Sequence, residues 1–331
     1  MISRMISRRR ILQSAGGAVL ATPFLQRQTF AQEVWPAREI HAICGTPPGS
    51  GADTIVRFYA RKLQEVSGKT VIVENKPGAF GNIATEYVAR SKPDGYTIFI
   101  APTSSYLGAS PSLFKKLAFD PINDFEHVAP LLKNTWILAV AGDSPHRTAA
   151  ELTAYLKEQG DKASYGSLAN TGLVSTELYK ANFGLKTVEV KYKETLGALN
   201  DLWAGNLAFI HIDPTGGGAH FKSGKLRPLA TASAERMQSI KDIPSAREVG
   251  IMNSDVIGWW SVEMPKGTPK PVLEKLEAWF GQITAAEDTR AFLANVSCDP
   301  FPGSSAMLSE LLVKETNNWK EYVRIARIEQ I

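Results

Sequence analysis

From Ile40 onward one unit repeats along the chain: a short apolar run, a turn rich in glycine and proline, then an amphipathic stretch. Ile40–Cys44 reads as a buried strand, and Ile55, Val56, Tyr59, Ala60, Leu63 and Val66 then recur at helical spacing until Gly68 closes the helix. Residues 71–73 form the next strand, 83–89 the next helix, and Thr97–Ala101 a third strand after the turn Pro93-Asp94-Gly95. Strands alternating with helices of this length predict an α/β fold with mainly parallel sheets flanked by helices.

The alternation restarts further on. Strands are expected at 137–141, 163–166, 188–192, 207–212 and 226–231, with helices at 149–156, 175–183 and 196–203. Thr268-Pro269 opens a later helix, and a long final helix carries Leu311, Leu312, Trp319, Tyr322 and Val323. Two such α/β sets in 331 residues fold most simply as two lobes, in line with ~150 residues per domain.

Charge separates the start of the chain from the rest. The first 31 residues hold Arg4, Arg8, Arg9, Arg10 and Arg27 and no carboxylate. Without them the basic residues fall from 37 to 32 against 33 acidic ones, so the net +4 belongs to this segment. The remainder lacks the basic surplus of a phosphate-binding surface, which argues against nucleic acid as a partner. Ser7-Arg8-Arg9-Arg10-Ile11-Leu12, the apolar residues 15–25 and Thr29-Phe30-Ala31 follow the layout of a signal peptide. The paired arginines are of the twin-arginine type. Cleavage is expected after Ala31, giving a soluble protein outside the inner membrane. Cys44 and Cys298 are the only cysteines and read as buried free thiols.

Pro47-Pro48-Gly49-Ser50-Gly51-Ala52-Asp53 lies between the first strand and the first helix. Ligands of open parallel sheets bind beyond the carboxyl ends of the strands, where such turns gather. Glycines let the backbone approach a ligand, and the unpaired N–H groups of a helix start favour an anion without any lysine. Ser50 and Asp53 also have capping-box spacing, so a structural role for Asp53 stands beside ligand contact. A dinucleotide fingerprint competes here through Gly49-Ser50-Gly51 and Glu74, but Thr54 stands where the third glycine belongs. A second turn, Ser167-Leu168-Ala169-Asn170-Thr171-Gly172, again joins strand to helix. Two helix starts, one per lobe, facing one cleft would clamp a small anion when the lobes close.

Catalytic patterns are weak. His211, Asp213 and His220 are too sparse a set to predict a metal site, no Gly-x-Ser-x-Gly elbow occurs, and Trp259-Trp260 reads as core or hinge packing.

Trp35-Pro36-Ala37-Arg38, the first turn, and the block VIVENKPGAFGNIATEYVARSKPDGYTIFIAPT together resemble the Bug (TctC-like) extracytoplasmic solute-binding proteins of tripartite tricarboxylate transport systems. YKETLGALNDLWAGNLAFIHID, GKLRPLATAS, GWWSVEMPKGTPKPVLEKLEAW and ETNNWKEYVRIARIE extend the likeness in the same order. The resemblance implies a two-lobed periplasmic-binding-protein fold, with residues 33–130 and 238–331 in lobe 1 and 131–237 in lobe 2. It implies a monomeric or weakly associating carrier, not an enzyme and without cofactor or metal. Such a carrier takes a small carboxylate to a membrane permease. Carried over by position, the ligand-binding residues are Thr46, Pro48, Gly49, Ser50, Gly51, Ala52 and Asp53 in the first turn. Ser167, Asn170, Thr171 and Gly172 form the second, Thr103, Ser104 and Ser105 end the third strand, and Asp213 is the acidic position of lobe 2. The family usually has an aromatic residue in place of Thr46 and a histidine where Leu173 or Val174 stands. Both departures point to a bulkier or more apolar acid, aromatic ones included. An exported dinucleotide-binding oxidoreductase and a ligand-binding accessory of a membrane sensor remain the alternatives.

Overall fold

The computed structural model describes residues 35–168, 170–252 and 255–331, so the expected leader lies outside the described residues. The chain begins with β1 (Ile40–Cys44), α1 (Gly51–Ser67), β2 (Val71–Asn75), α2 (Asn82–Ala89) and β3 (Thr97–Ala101). A π-helical turn over Ser104–Ala109 leads into α3 (Ser110–Leu113) and the long strand β4 (Phe125–Thr135). The second lobe holds β5 (Ile137–Ala141), α4 (Ala149–Gln159), β6 (Ser164–Ser167), α5 (Asn170–Phe183) and β7 (Val188–Lys191). It continues with α6 (Thr195–Trp203), β8 (Phe209–Ile212), α7 (Pro214–Lys222) and β9 (Leu226–Thr231). The chain then returns through β10 (Ile257–Pro265), α8 (Lys270–Ala285), α9 (Glu287–Asn295), β11 (Asp299–Pro300) and α10 (Ser305–Ala326).

The strands make two sheets, ordered β11-β4-β10-β3-β1-β2 and β7-β6-β8-β5-β9. Both are mixed, which differs from the mainly parallel sheets expected. β1 pairs in parallel with β2 and β3, and β6 with β7 and β8. The remaining pairs are antiparallel because β4 carries the chain out of the first lobe and β10 carries it back. β4 was not legible as a strand because Pro130 interrupts it. Its missing donor is absorbed where the register slips from Trp260↔Leu132 to Ser261↔Pro130.

Ile40, Ala42, Tyr59, Leu63, Val262 and Leu276 share the core between the first sheet and helices α1 and α8. Burying each such large apolar side chain contributes about 1.5–3 kcal/mol. Tyr165, Val174, Tyr179 and Phe209 fill the core between β6, β8 and α5. α10 serves both lobes: Leu308 and Leu312 pack beside Phe99 and Tyr106, while Trp319 and Tyr322 join the core of the second lobe. Cys44 and Cys298 are buried and unbridged.

Candidate functional site

The register places the site. Ile137 pairs with Ile212 and Ile257 with Thr135, so the crossings between lobes lie at the carboxyl end of β8. The carboxyl ends of β1, β2 and β3 in one lobe therefore face those of β6, β7 and β8 in the other. The turns after these strands line the cleft between them.

In the first turn most polar side chains are committed to the turn itself. Ser50 caps α1, its Oγ accepting from Asp53 N at 3.1 Å while its hydroxyl donates to Thr46 Oγ1 at 2.9 Å. Asp53 is 2% exposed. Its carboxylate accepts from Gly49 N (2.8 Å), Arg57 Nε (2.8 Å) and Asn75 Nδ2 (2.7 Å). Burial alone would raise its pKa, but the hydrogen bonds from Arg57, Asn75 and Gly49 and the Arg57 charge hold the carboxyl below its ordinary range. The Asp53 carboxylate and the Gly49 N–H therefore bond to each other and hold the turn together. Pro48 has no N–H. Gly51 N and Ala52 N have no acceptor among the described residues, as the first positions of a helix require.

Asp213 caps α7: Oδ1 accepts from Thr215 N and Gly216 N, each at 3.0 Å, and from the Thr215 hydroxyl. Its second oxygen, Oδ2, has no donor among the described residues. A Cβ built on Gly51 would lie 3.8 Å from Thr215 Oγ1, so the starts of α1 and α7 meet across the cleft.

At the second turn, Ser167 Oγ donates to Glu189 Oε1 at 2.6 Å and is occupied there. Thr171 is buried and its carbonyl accepts from Ser175 Oγ. At Gly172 a Cβ would lie 3.0 Å from His211 O and 3.3 Å from Trp136 Cδ1, so a side chain here would press α5 a few tenths of an ångström away from β8 and Trp136. Asn170, half-buried, opens α5 beside a cavity of about 570 Å³ also lined by Ser167, Leu173, Lys191, Tyr192 and Arg327. After β3, Thr103 Oγ1 lies 2.6 Å from Ser261 Oγ, and Ser104 Oγ accepts from Trp259 N at 3.1 Å. These two side chains pin the π-helical turn to β10 and are occupied there, whereas Ser105 is half-buried, its N–H donating to Pro102 O and its carbonyl accepting from Ser110 Oγ at 3.5 Å, with no partner for its hydroxyl among the described residues. His211 is buried, with Nδ1 2.8 Å from Thr176 Oγ1 and its pKa pushed down to about 3 by burial. His220 instead packs on Trp203, so the three acid and imidazole groups of this region do not converge. Glu74, the acid a dinucleotide ribose would need, is bonded to His41 at 2.5 Å and paired with Lys76.

Residues 55–327 match the family described as the tripartite tricarboxylate transporter family receptor. The chain belongs to that family. The receptor is 30% identical over 312 residues to a UPF0065 protein of Bordetella bronchiseptica, spanning 93% of this chain and 90% of that protein. It superposes on R. palustris Rpa4515 with adipate at a TM-score of 0.77 and 26% identity, covering 90% of this chain and 100% of that one. The periplasmic binding protein BugD superposes at 0.73, also with 26% identity, covering 90% of this chain and 100% of BugD.

Two aromatic residues that pack against glycines near these turns were not singled out from the sequence. Trp136 stands between β4 and β5, half-buried, with its indole between Gly172 and Gly258. Tyr106 lies in the π-helical turn, its ring against both Gly45 and Gly81. No spacing in sequence links Tyr106 to these two glycines, which is why only the fold reveals the group.

Proposed function

We propose that the receptor captures a small carboxylate-bearing solute between its lobes and delivers it to the membrane permease of a tripartite tricarboxylate-type transporter. In this reading it works as an exported, monomeric carrier without catalysis, its leader cleaved after Ala31, with residues 33–130 and 238–331 in one lobe and 131–237 in the other. The observation that carries it is the pair of unpaired donors, Gly51 N and Ala52 N, where α1 meets α7 across the cleft. Two aligned N–H groups, backed by roughly half a positive charge from the helix dipole, suit a carboxylate without a basic side chain. Adipate in a family relative is the same class of chemistry. Asp213 Oδ2 supplies an acceptor from the other lobe, for a hydroxyl, amine or water of the solute. Because donors and acceptor belong to different lobes, the ligand favours the closed state over the open one.

Gly51→Pro tests this directly. Proline is favoured at the first helical position, so α1 is retained while one donor is lost. Calorimetry with adipate, malate and benzoate is expected to show at least a tenfold loss for whichever acid the wild type binds, the loss of a charge-assisted hydrogen bond. Unchanged affinity would remove the turn from the site.

A further inference from the structure

We propose that the receptor's solute carries an aromatic or comparably broad apolar group, and that Phe80 is the residue that selects it. This rests on the carboxylate reading above and adds the chemistry of the ligand's other end.

Gly78, Ala79, Phe80 and Gly81 have φ of 129°, 46°, 53° and 91°, four consecutive residues in the region that side chains avoid. Glycine serves two of these positions without strain; phenylalanine at the third does not. The turn is closed by backbone hydrogen bonds from Gly81 N to Gly78 O and from Asn82 N to Ala79 O, but the Phe80 side chain gains little packing from it. Phe80 is 68% exposed, and its nearest ring, Phe114, meets it edge-on at 6.1 Å between centroids. A strained backbone that holds a large apolar side chain in water is retained when that side chain acts on something outside the fold.

The location says what that is. The loop follows β2, whose last residue Asn75 pairs with Cys44 at the end of β1, so it borders the first turn. A Cβ on Gly45 would fall 2.6 Å from Tyr106 Cε2, and one on Gly81 2.3 Å from Tyr106 Cζ. Phe80 is thus one residue from a glycine that shares a ring with the residue preceding Thr46. The Tyr106 hydroxyl has no hydrogen-bond partner among the described residues. Trp136 lies at the joint between the lobes. The exposed ring of Phe80 is thus carried by the loop that borders the turn presenting Gly51 N, above the buried ring of Tyr106. An aliphatic diacid gains little from such a ring, while a flat solute gains stacking and edge contacts.

The test measures calorimetric affinities of the full receptor for benzoate, phenylacetate and adipate, with Phe80→Gly and Phe80→Leu alongside. Glycine fits the observed φ, so the first variant keeps the loop. The wild type is expected to bind at least one aromatic acid about tenfold tighter than adipate. Phe80→Gly is expected to lose most of that preference, with adipate changed less than about twofold and Phe80→Leu intermediate. Adipate preferred over both aromatic acids overturns the proposal and leaves the carboxylate reading intact. So does an aromatic preference that survives in Phe80→Gly, which would assign the exposed ring to a protein-docking surface instead. Failure of all three acids to bind overturns both.

Discussion

His127 and Glu263 face each other across the β4–β10 ladder, Nδ1 to Oε2 2.5 Å, with both side chains buried inside the first lobe. Ser261 donates to the other oxygen of Glu263 at 2.5 Å and lies 2.6 Å from Thr103 Oγ1, so this pair is connected to the cleft end of β3.

Burial opposes a charged His127, but the Glu263 charge and hydrogen bond, helped by Glu126 and opposed by Lys266, raise its pKa above the ordinary imidazole value. A raised folded-state value means that the pair's stabilisation is complete below about pH 6.5 and is lost as pH climbs through the folded pKa. Thermal unfolding followed by circular dichroism is expected to show Tm falling across that upper window. His127→Ala leaves Glu263 buried without its partner, costs about 3 kcal/mol and flattens the profile.

Asp53→Asn removes the charge that binds Arg57 and can present an N–H₂ to Gly49 N in place of an acceptor. Loss of a buried, charge-assisted cluster costs about 2–3 kcal/mol in denaturant unfolding. Because the folded pKa of Asp53 is depressed, its contribution is present above the unfolded value near 3.9 and disappears as pH falls through the folded one. The variant is therefore expected to differ from wild type at pH 6 and to converge on it in strong acid.

Glu315, on α10 beside Gly108, is buried, with Oε1 accepting from Trp319 Nε1 at 3.0 Å. Burial, with Asp255 adding and Trp319 and Lys314 opposing, pushes its pKa up to about 7. Its neutral form is therefore favoured by folding, and stability is lost as pH rises from about 4.3 through about 7. Glu315→Gln keeps an acceptor for Trp319, so it is expected to raise Tm at pH 8 and to leave it unchanged at pH 4.

Phe80→Gly is expected to stabilise the fold slightly. Removing a left-handed side chain gains about 1–2 kcal/mol, and glycine's greater unfolded-state freedom offsets about 0.5–1 of it. Differential scanning calorimetry of the unliganded receptor that gave a lower Tm for the variant would contradict the strain at this position.

Much of the α/β framework was legible in the residues themselves. β1, β3, β5 and β9 run where the apolar periods predict them, and α1 ends at Gly68, which is left-handed with φ 66°. α7 was not legible, because Pro-Thr-Gly-Gly-Gly has poor helix propensity and the element depends on Asp213 as its cap. The same limit applies to the site. Asp53 could be read as cap or ligand, and the partners that hold its carboxylate in the turn, Asn75 from β2 and Arg57 from one turn along α1, are not visible in the local pattern.

Local spacing thus determined the strands, the helices and the two turns that can present bare N–H groups, since these depend on neighbours a few residues apart. Tertiary structure alone decided which polar groups of those turns stay free. That choice is made by partners distant in sequence: Asn75 for Asp53, Ser261 for Thr103, Glu189 for Ser167. It also brought Gly51 opposite Thr215 and set Tyr106 between Gly45 and Gly81, because a cleft exists only where the ends of two sheets meet.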